Sequence, residues 1–137
     1  MSIKITWYRI DENNEFLWDV NRGLYAYLGT KDEFLYVGKV DGTTVRKRFQ
    51  RSAKPHYWDF VENDLGYFET EVLVGIVKLP QGSKHSRQLL ADIESLLINQ
   101  IQPLGNIACR NTRISRPGLS IKCYGDWDYD KKTFIDQ

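Results

Sequence analysis

The chain has almost no net charge. Nineteen Lys and Arg stand against eighteen Asp and Glu, a balance of +1. That excludes binding nucleic acid by bulk charge, because a domain that works this way is strongly basic. Long apolar runs are also missing. None approaches the roughly 18 residues that a membrane-spanning helix needs, so neither a span nor a membrane partner is expected. The first residues, MSIKITWYRIDENNEF, turn acidic after one short apolar stretch. They lack the basic-then-apolar order of a secretion signal, so a cytoplasmic setting is expected. Cysteine is scarce: Cys109 and Cys123 lie far apart and read as buried, reduced thiols. A zinc site is not expected, because the two histidines, His56 and His85, are near neither cysteine. No acid orients either histidine locally, so no Ser-His-Asp or Cys-His arrangement is evident. Gly38 to Gly42 lacks the Lys-Ser/Thr ending of a nucleotide-binding glycine loop.

What is present is apolar and aromatic material for one packed domain spanning 1–137, with 42% hydrophobic and 13% aromatic residues. Charge is locally uneven. Lys39 to Lys54 carries Lys39, Arg46, Lys47, Arg48, Arg51 and Lys54 against Asp41 alone. Such a patch suits focused phosphate contact or a plain solvated helix face. Residues 3–10 read as a short strand. Residues 23–29 and 33–38 read as a β-hairpin with a polar turn. Thr43 or Thr44 can cap a helix running to about Gln50, which Pro55 ends, and 57–64 suggests a second short helix. Residues 70–79 read as a central strand. Ser83 or Ser86 can cap a long helix to Ile101, stopped by Pro103 and Gly105. A last strand is expected over 119–124, with the acidic tail beyond it loosely held. These elements predict an α+β domain with a small, mainly antiparallel central sheet of about three strands flanked by helices.

Two features carry chemistry. At the helical period, Leu89, Leu90, Ile93, Leu96, Leu97, Ile98 and Ile101 form one apolar stripe, and Glu94 falls inside it. An inward carboxylate needs a cation or hydrogen-bond donors. It reads either as a metal ligand or as an acid at the stripe's edge, paired or reaching water. On the hairpin, Tyr25 and Tyr27 share a face, with Tyr36 on the neighbouring strand. These phenols read as cross-strand packing or as proton-handling groups near a phosphate.

Gly23-Leu24-Tyr25 followed by Tyr36-Val37-Gly38 resembles the paired signature of the GIY-YIG nuclease superfamily. The next helix, Val45-Arg46-Lys47-Arg48-Phe49, resembles that family's arginine helix. Arg48 has the better apolar flanks, whereas counting strictly from Tyr36 favours Arg46. ADIESLLINQIQPLGN supplies Glu94, Pro103 and Asn106 in the order in which the family shows its metal-binding glutamate, proline and asparagine. The resemblance spans roughly residues 22–107; 1–21 and 108–137 stand as extensions. A histidine or tyrosine often follows the family's arginine. Here Ser52 stands four residues after Arg48, and His56 or Tyr57 could serve only if the chain turns back.

The resemblance implies a metal-dependent endonuclease acting on DNA, in a bacterial or phage setting. Glu94 would hold Mg²⁺ or Mn²⁺, Tyr25 would be the general base, and Tyr36 would position water or phosphate. Arg48 would neutralise phosphoryl charge, Lys39 would lower the phenol's pKa, and Asn106 would brace the site. Arg46, Arg51, His56 and Tyr57 are expected on the substrate. Specificity is expected from loops 52–69 and 108–118, where Trp58, Arg110, Arg113 and Arg116 also stand, or from a homodimer or a partner chain. The alternative is a non-cleaving nucleic-acid-binding module on the same scaffold.

Overall fold

In the computed structural model, which describes residues 1–67, 69–106 and 116–136, the hairpin forms as read. Strand β2 is Arg22–Leu28 and β3 is Phe34–Asp41. They pair antiparallel, with Tyr25 opposite Gly38 and Tyr27 opposite Tyr36. The apolar run after the basic patch is β4, Glu71–Lys78. It pairs antiparallel with β2 on one side and with β1, Ser2–Arg9, on the other.

The expectation of a three-stranded sheet is corrected here. The sheet is mixed, curled and six-stranded, in the order β3-β2-β4-β1-β5-β6, with about three helices. Strand β1 pairs parallel with β5, Ser120–Gly125, and β6, Thr133–Ile135, closes the far side. The N-terminal extension therefore supplies an interior strand. Its alternation of Ile3, Ile5 and Trp7, each fully buried, fits a strand with one face in a core. No local pattern announces the pairing of residue 2 with residue 120, because parallel partners need not be near in sequence.

The tail is likewise not loose. Phe134 is fully buried, and Trp127 packs on Trp7 and Phe34 at ring-centroid separations of 4.9 Å each.

Helix α1 is Val45–Phe49, and Thr44 Oγ1 accepts from the Lys47 amide at 3.1 Å. It ends before Pro55, which instead opens α2, Pro55–Asp59, in its first turn, where a missing N–H is harmless. A π-helical turn, Phe60–Asp64, continues α2. Helix α3 is Arg87–Ile101. Ser86 caps it, with its Oγ accepting from Leu89 N at 3.0 Å, and Gln102 ends it in the left-handed conformation with φ 57°. Its apolar stripe packs on one face of the sheet, while α1 and α2 cover the other. No helix among the described residues is long and apolar enough to cross a membrane. Cys123 is a free, buried thiol whose pKa burial pushes up to about 11. Cys109 lies outside the described residues.

Candidate active site

The glycines of the two signatures have steric reasons. Gly23 has φ +152°, and a Cβ there would stand 2.7 Å from the Gly75 carbonyl oxygen of β4. Gly38 faces Tyr25 across the hairpin. A Cβ on it would meet Tyr25 Cζ and Oη at 2.5 Å each. The missing side chain thus lets the Tyr25 ring lie over β3, the outermost strand on this side.

An edge strand exposes unpaired backbone groups unless something covers them. Here the residues after α3 do so. Gly105 N donates to Leu35 O at 2.6 Å, and Leu104 N to Phe34 O at 3.2 Å. The buried Asn106 amide works as a strand residue would. Its Oδ1 accepts from Val37 N, and its Nδ2 donates to Val37 O, both at 2.9 Å. Gly105 permits this approach, since a Cβ there would meet both Leu35 O and the Tyr57 ring at 2.4 Å. About two turns before the end of α3, Glu94 faces the same edge, and the Lys39 backbone amide bonds to its carboxylate. Glu94, Gly105 and Asn106 therefore all dock on β3 (the strand that also carries Tyr36, Gly38 and Lys39).

Electrostatic coupling brings the predicted groups to one place. Burial raises the Glu94 pKa, while the Lys39 charge, the Lys39 amide and Arg48 pull it back. Burial also holds the Tyr25 phenol far above its ordinary value. Tyr36 and Glu94 add to the rise and Arg48 opposes it. Carboxylate, guanidinium and phenol thus feel one another, although they come from α3, α1 and β2. The Tyr25 hydroxyl is sealed from solvent, with no hydrogen-bond partner of normal geometry. Its ring lies 5.9 Å from that of Tyr36 and 5.3 Å from that of Tyr27. A polar cavity of about 260 Å³ opens between Lys39, Asp41, Thr43, Arg48 and Arg87; it shares Lys39 and Arg48 with this cluster, while the tyrosines and Glu94 do not line it.

The other expected substrate residues are not gathered here. Arg46 is held by Asp19, its Nε 3.2 Å from Oδ1, so of the two candidate arginines it is Arg48 that faces the phenols and Glu94. Arg51 pairs with Glu62 and lies 5.4 Å above the Trp58 ring. His56 is exposed on α2. Tyr57 is buried, its ring edge-on to Tyr36 at 5.1 Å, and so belongs to the packing behind the cluster. Arg116 bonds Asp92 at 2.6 Å. Arg110 and Arg113 lie outside the described residues.

Sequence reasoning missed two groups. Asp92 is more deeply buried than Glu94, but Arg116 and Gln88 satisfy it. Lys54 turns inward onto the tyrosines, with its Nζ 3.2 Å from the Tyr27 hydroxyl. The basic run from Lys39 contained it, but nothing local told which of those cations would be inward.

The donor set bears on a divalent ion. Among the described residues no group of three or more His, Cys, Asp or Glu could enclose a metal. Glu94 offers a half-buried carboxylate beside the phenols, and the half-buried Asp41 on the cavity wall is already engaged by His85 at 3.2 Å and Arg87 at 3.8 Å. That suits a hard cation that keeps most of its waters and takes its remaining ligands from substrate phosphate, and it does not suit a protein-enclosed site. No family model, no curated protein and no solved structure matches the chain.

Proposed function

We propose that the chain is a metal-dependent endonuclease that hydrolyses a phosphodiester bond in DNA by the single-site chemistry of the GIY-YIG superfamily. What supports this reading is the mutual electrostatic influence of Tyr25, Arg48 and Glu94, from three separate elements, at the rim of β3.

Each group has a task that follows from its surroundings. Arg48 presents a planar, permanently charged fork, suited to neutralising the charge that grows on phosphoryl oxygens. Lys39 adds a second positive group beside Glu94. Tyr36 is half-buried at the mouth of the phenol cluster and can orient a water or the phosphate. In the free protein Tyr25 keeps its proton at neutral pH, because burial raises its pKa. To act as the base it must first release that proton to solvent. The resulting phenolate, which positive charge beside it would stabilise as Arg48 already does in part, then takes a proton from the attacking water. Glu94 would hold Mg²⁺ or Mn²⁺, which when bound supplies Lewis-acid polarisation of a phosphate oxygen and positive charge near the phenol. Asn106 holds the edge strand in register and touches no reacting atom.

Nicking of supercoiled plasmid with Mg²⁺ or Mn²⁺, against the same reaction with chelator, tests the reading. Loss of the acid should abolish transition-state stabilisation, so Glu94→Ala is expected to lower the rate at least about 10³-fold. Its melting temperature should stay close to that of the parent. An active Glu94→Ala protein would refute the assignment. A second reading, a non-cleaving nucleic-acid-binding module, is favoured by the lone carboxylate. Plasmid that is retained in a gel but never nicked with either ion would establish it.

A further inference from the structure

Helix α1 is short, and its final carbonyls have no partners within the helix. The Arg48 carbonyl nevertheless has two donors. The Tyr27 hydroxyl donates to it at 3.2 Å, and Lys54 Nζ bonds to it as well. The same Nζ donates to the Tyr27 hydroxyl at 3.2 Å and lies 5.1, 5.3 and 5.4 Å from the ring centroids of Tyr25, Tyr27 and Tyr36. A lysine on a loop ordinarily keeps its ammonium in water. This one is drawn onto three aromatic faces, which attract a cation.

We propose that Lys54 is a positioning residue of the active site. It clamps the carbonyl end of α1 to the Tyr25, Tyr27 and Tyr36 cluster, and so sets where the Arg48 guanidinium stands relative to Tyr25 and Glu94. The inference rests on the nuclease reading and adds to it a residue outside the matched signatures. The chain turns back after Ser52, so that α2 brings Tyr57 against Tyr36 and the residue just before it, Lys54, brings an amine beside the phenols.

The clamp is sensitive to pH. The groups facing Lys54 are Tyr25 and Tyr27 from β2, Tyr36 from β3 and Arg48 from α1, with Tyr57 of α2 packed behind the rings. Arg51 and Glu62, the charged pair of this corner, are turned to each other. Burial, helped by the Arg48 charge, lowers the Lys54 pKa to about 7. The ammonium, and with it the attraction to the rings, is therefore full below neutral pH and lost above it.

The test is the nicking rate of the full chain with Mg²⁺ between pH 6 and pH 9, for the parent, Lys54→Met and Lys54→Arg. A misplaced guanidinium should weaken the transition state more than the ground state. Lys54→Met is thus expected to lower kcat about 10²-fold while KM moves by less than about threefold. Lys54→Arg stays charged across the range and should retain on the alkaline side the activity that the parent loses. Circular dichroism checks folding, and should Lys54→Met fail to fold, the Lys54→Arg profile decides. Lys54→Met cutting at the parental rate at every pH, or a Lys54→Arg profile that superimposes on the parent's, overturns the clamp alone. A silent parent chain overturns the nuclease reading together with the clamp.

Discussion

The two faces of the sheet are packed on different terms. Under α3, Leu24, Ala26 and Leu28 of β2 join Ile5, Leu73, Leu90, Ile93 and Leu97 in a core of mainly aliphatic side chains, and Phe134 and Trp127 of the C-terminal segment complete it. Under α1 and α2 the alternate residues of the same strands, Tyr25, Tyr27, Val72 and Val74, meet Tyr57 and Trp58. The Tyr57 hydroxyl and the Trp58 indole N–H are buried there without hydrogen-bond partners, and the buried Tyr25 hydroxyl is turned to Tyr36. Each such group costs about 1–3 kcal/mol relative to a satisfied one. An apolar ring of similar shape would avoid that cost, which the aromatic face bears more heavily than the aliphatic face, where the Trp7 indole N–H is buried in the same way. Strained or unsatisfied local choices of this kind concentrate where a protein does chemistry.

Melting and nicking measured on the same variants separate the two faces. The largest effect on stability is expected on the aliphatic side. Phe134→Ala removes a fully buried ring and should lower stability by about 3–5 kcal/mol. A small shift in its urea midpoint would mean that β6 is not part of the core. Next comes the junction of the hairpin. Gly38→Ala drives a methyl into the Tyr25 ring and should cost about 1–3 kcal/mol while also reducing the rate. Retained activity would mean that Tyr25 does not need to lie over β3. The smallest effect on stability belongs to Tyr25→Phe. Deleting a buried hydroxyl that has only Tyr36 beside it should change stability by at most about 1 kcal/mol, while the rate falls about 10²-fold or more. Should Tyr25→Phe melt much lower and cut normally, the aromatic face would be a structural core like the other.

The hairpin, α1, β4 and α3 were legible in the sequence because each is written in local signals: apolar and aromatic runs between turn residues, helical spacing and caps. Two aromatic-rich runs around a polar turn marked the hairpin, a run apolar at most positions marked β4, and the stripe from Leu89 to Ile101 together with Ser86 marked α3. The place of β1 between β4 and β5, and the existence of β6, were not legible. Their pairing partners lie far away in sequence, and Phe134 stands in a polar stretch whose composition looks like a solvated tail. At the site, the choice between Arg46 and Arg48 was open because two positions on one short helix differ only in which way they point. Asp19, on the short 3₁₀ turn before β2, claims Arg46 and leaves Arg48 to the phenols. Likewise the inward turn of Lys54 depends on the three rings it meets, which lie on two strands and have no signature near residue 54.

By itself the sequence determined which side chains are available and on which local elements they stand: two phenols facing each other across a hairpin, a capped basic helix, an acid set inside an apolar stripe. Periodicity and capping act over a few residues, so they can be read without knowing the fold. Only the tertiary structure decided that the end of α3 covers the β3 edge through Asn106, that Glu94 arrives there beside Arg48, and that one lysine closes on the tyrosines. Those outcomes depend on burial and on charge over distances that the chain spans only after it has folded.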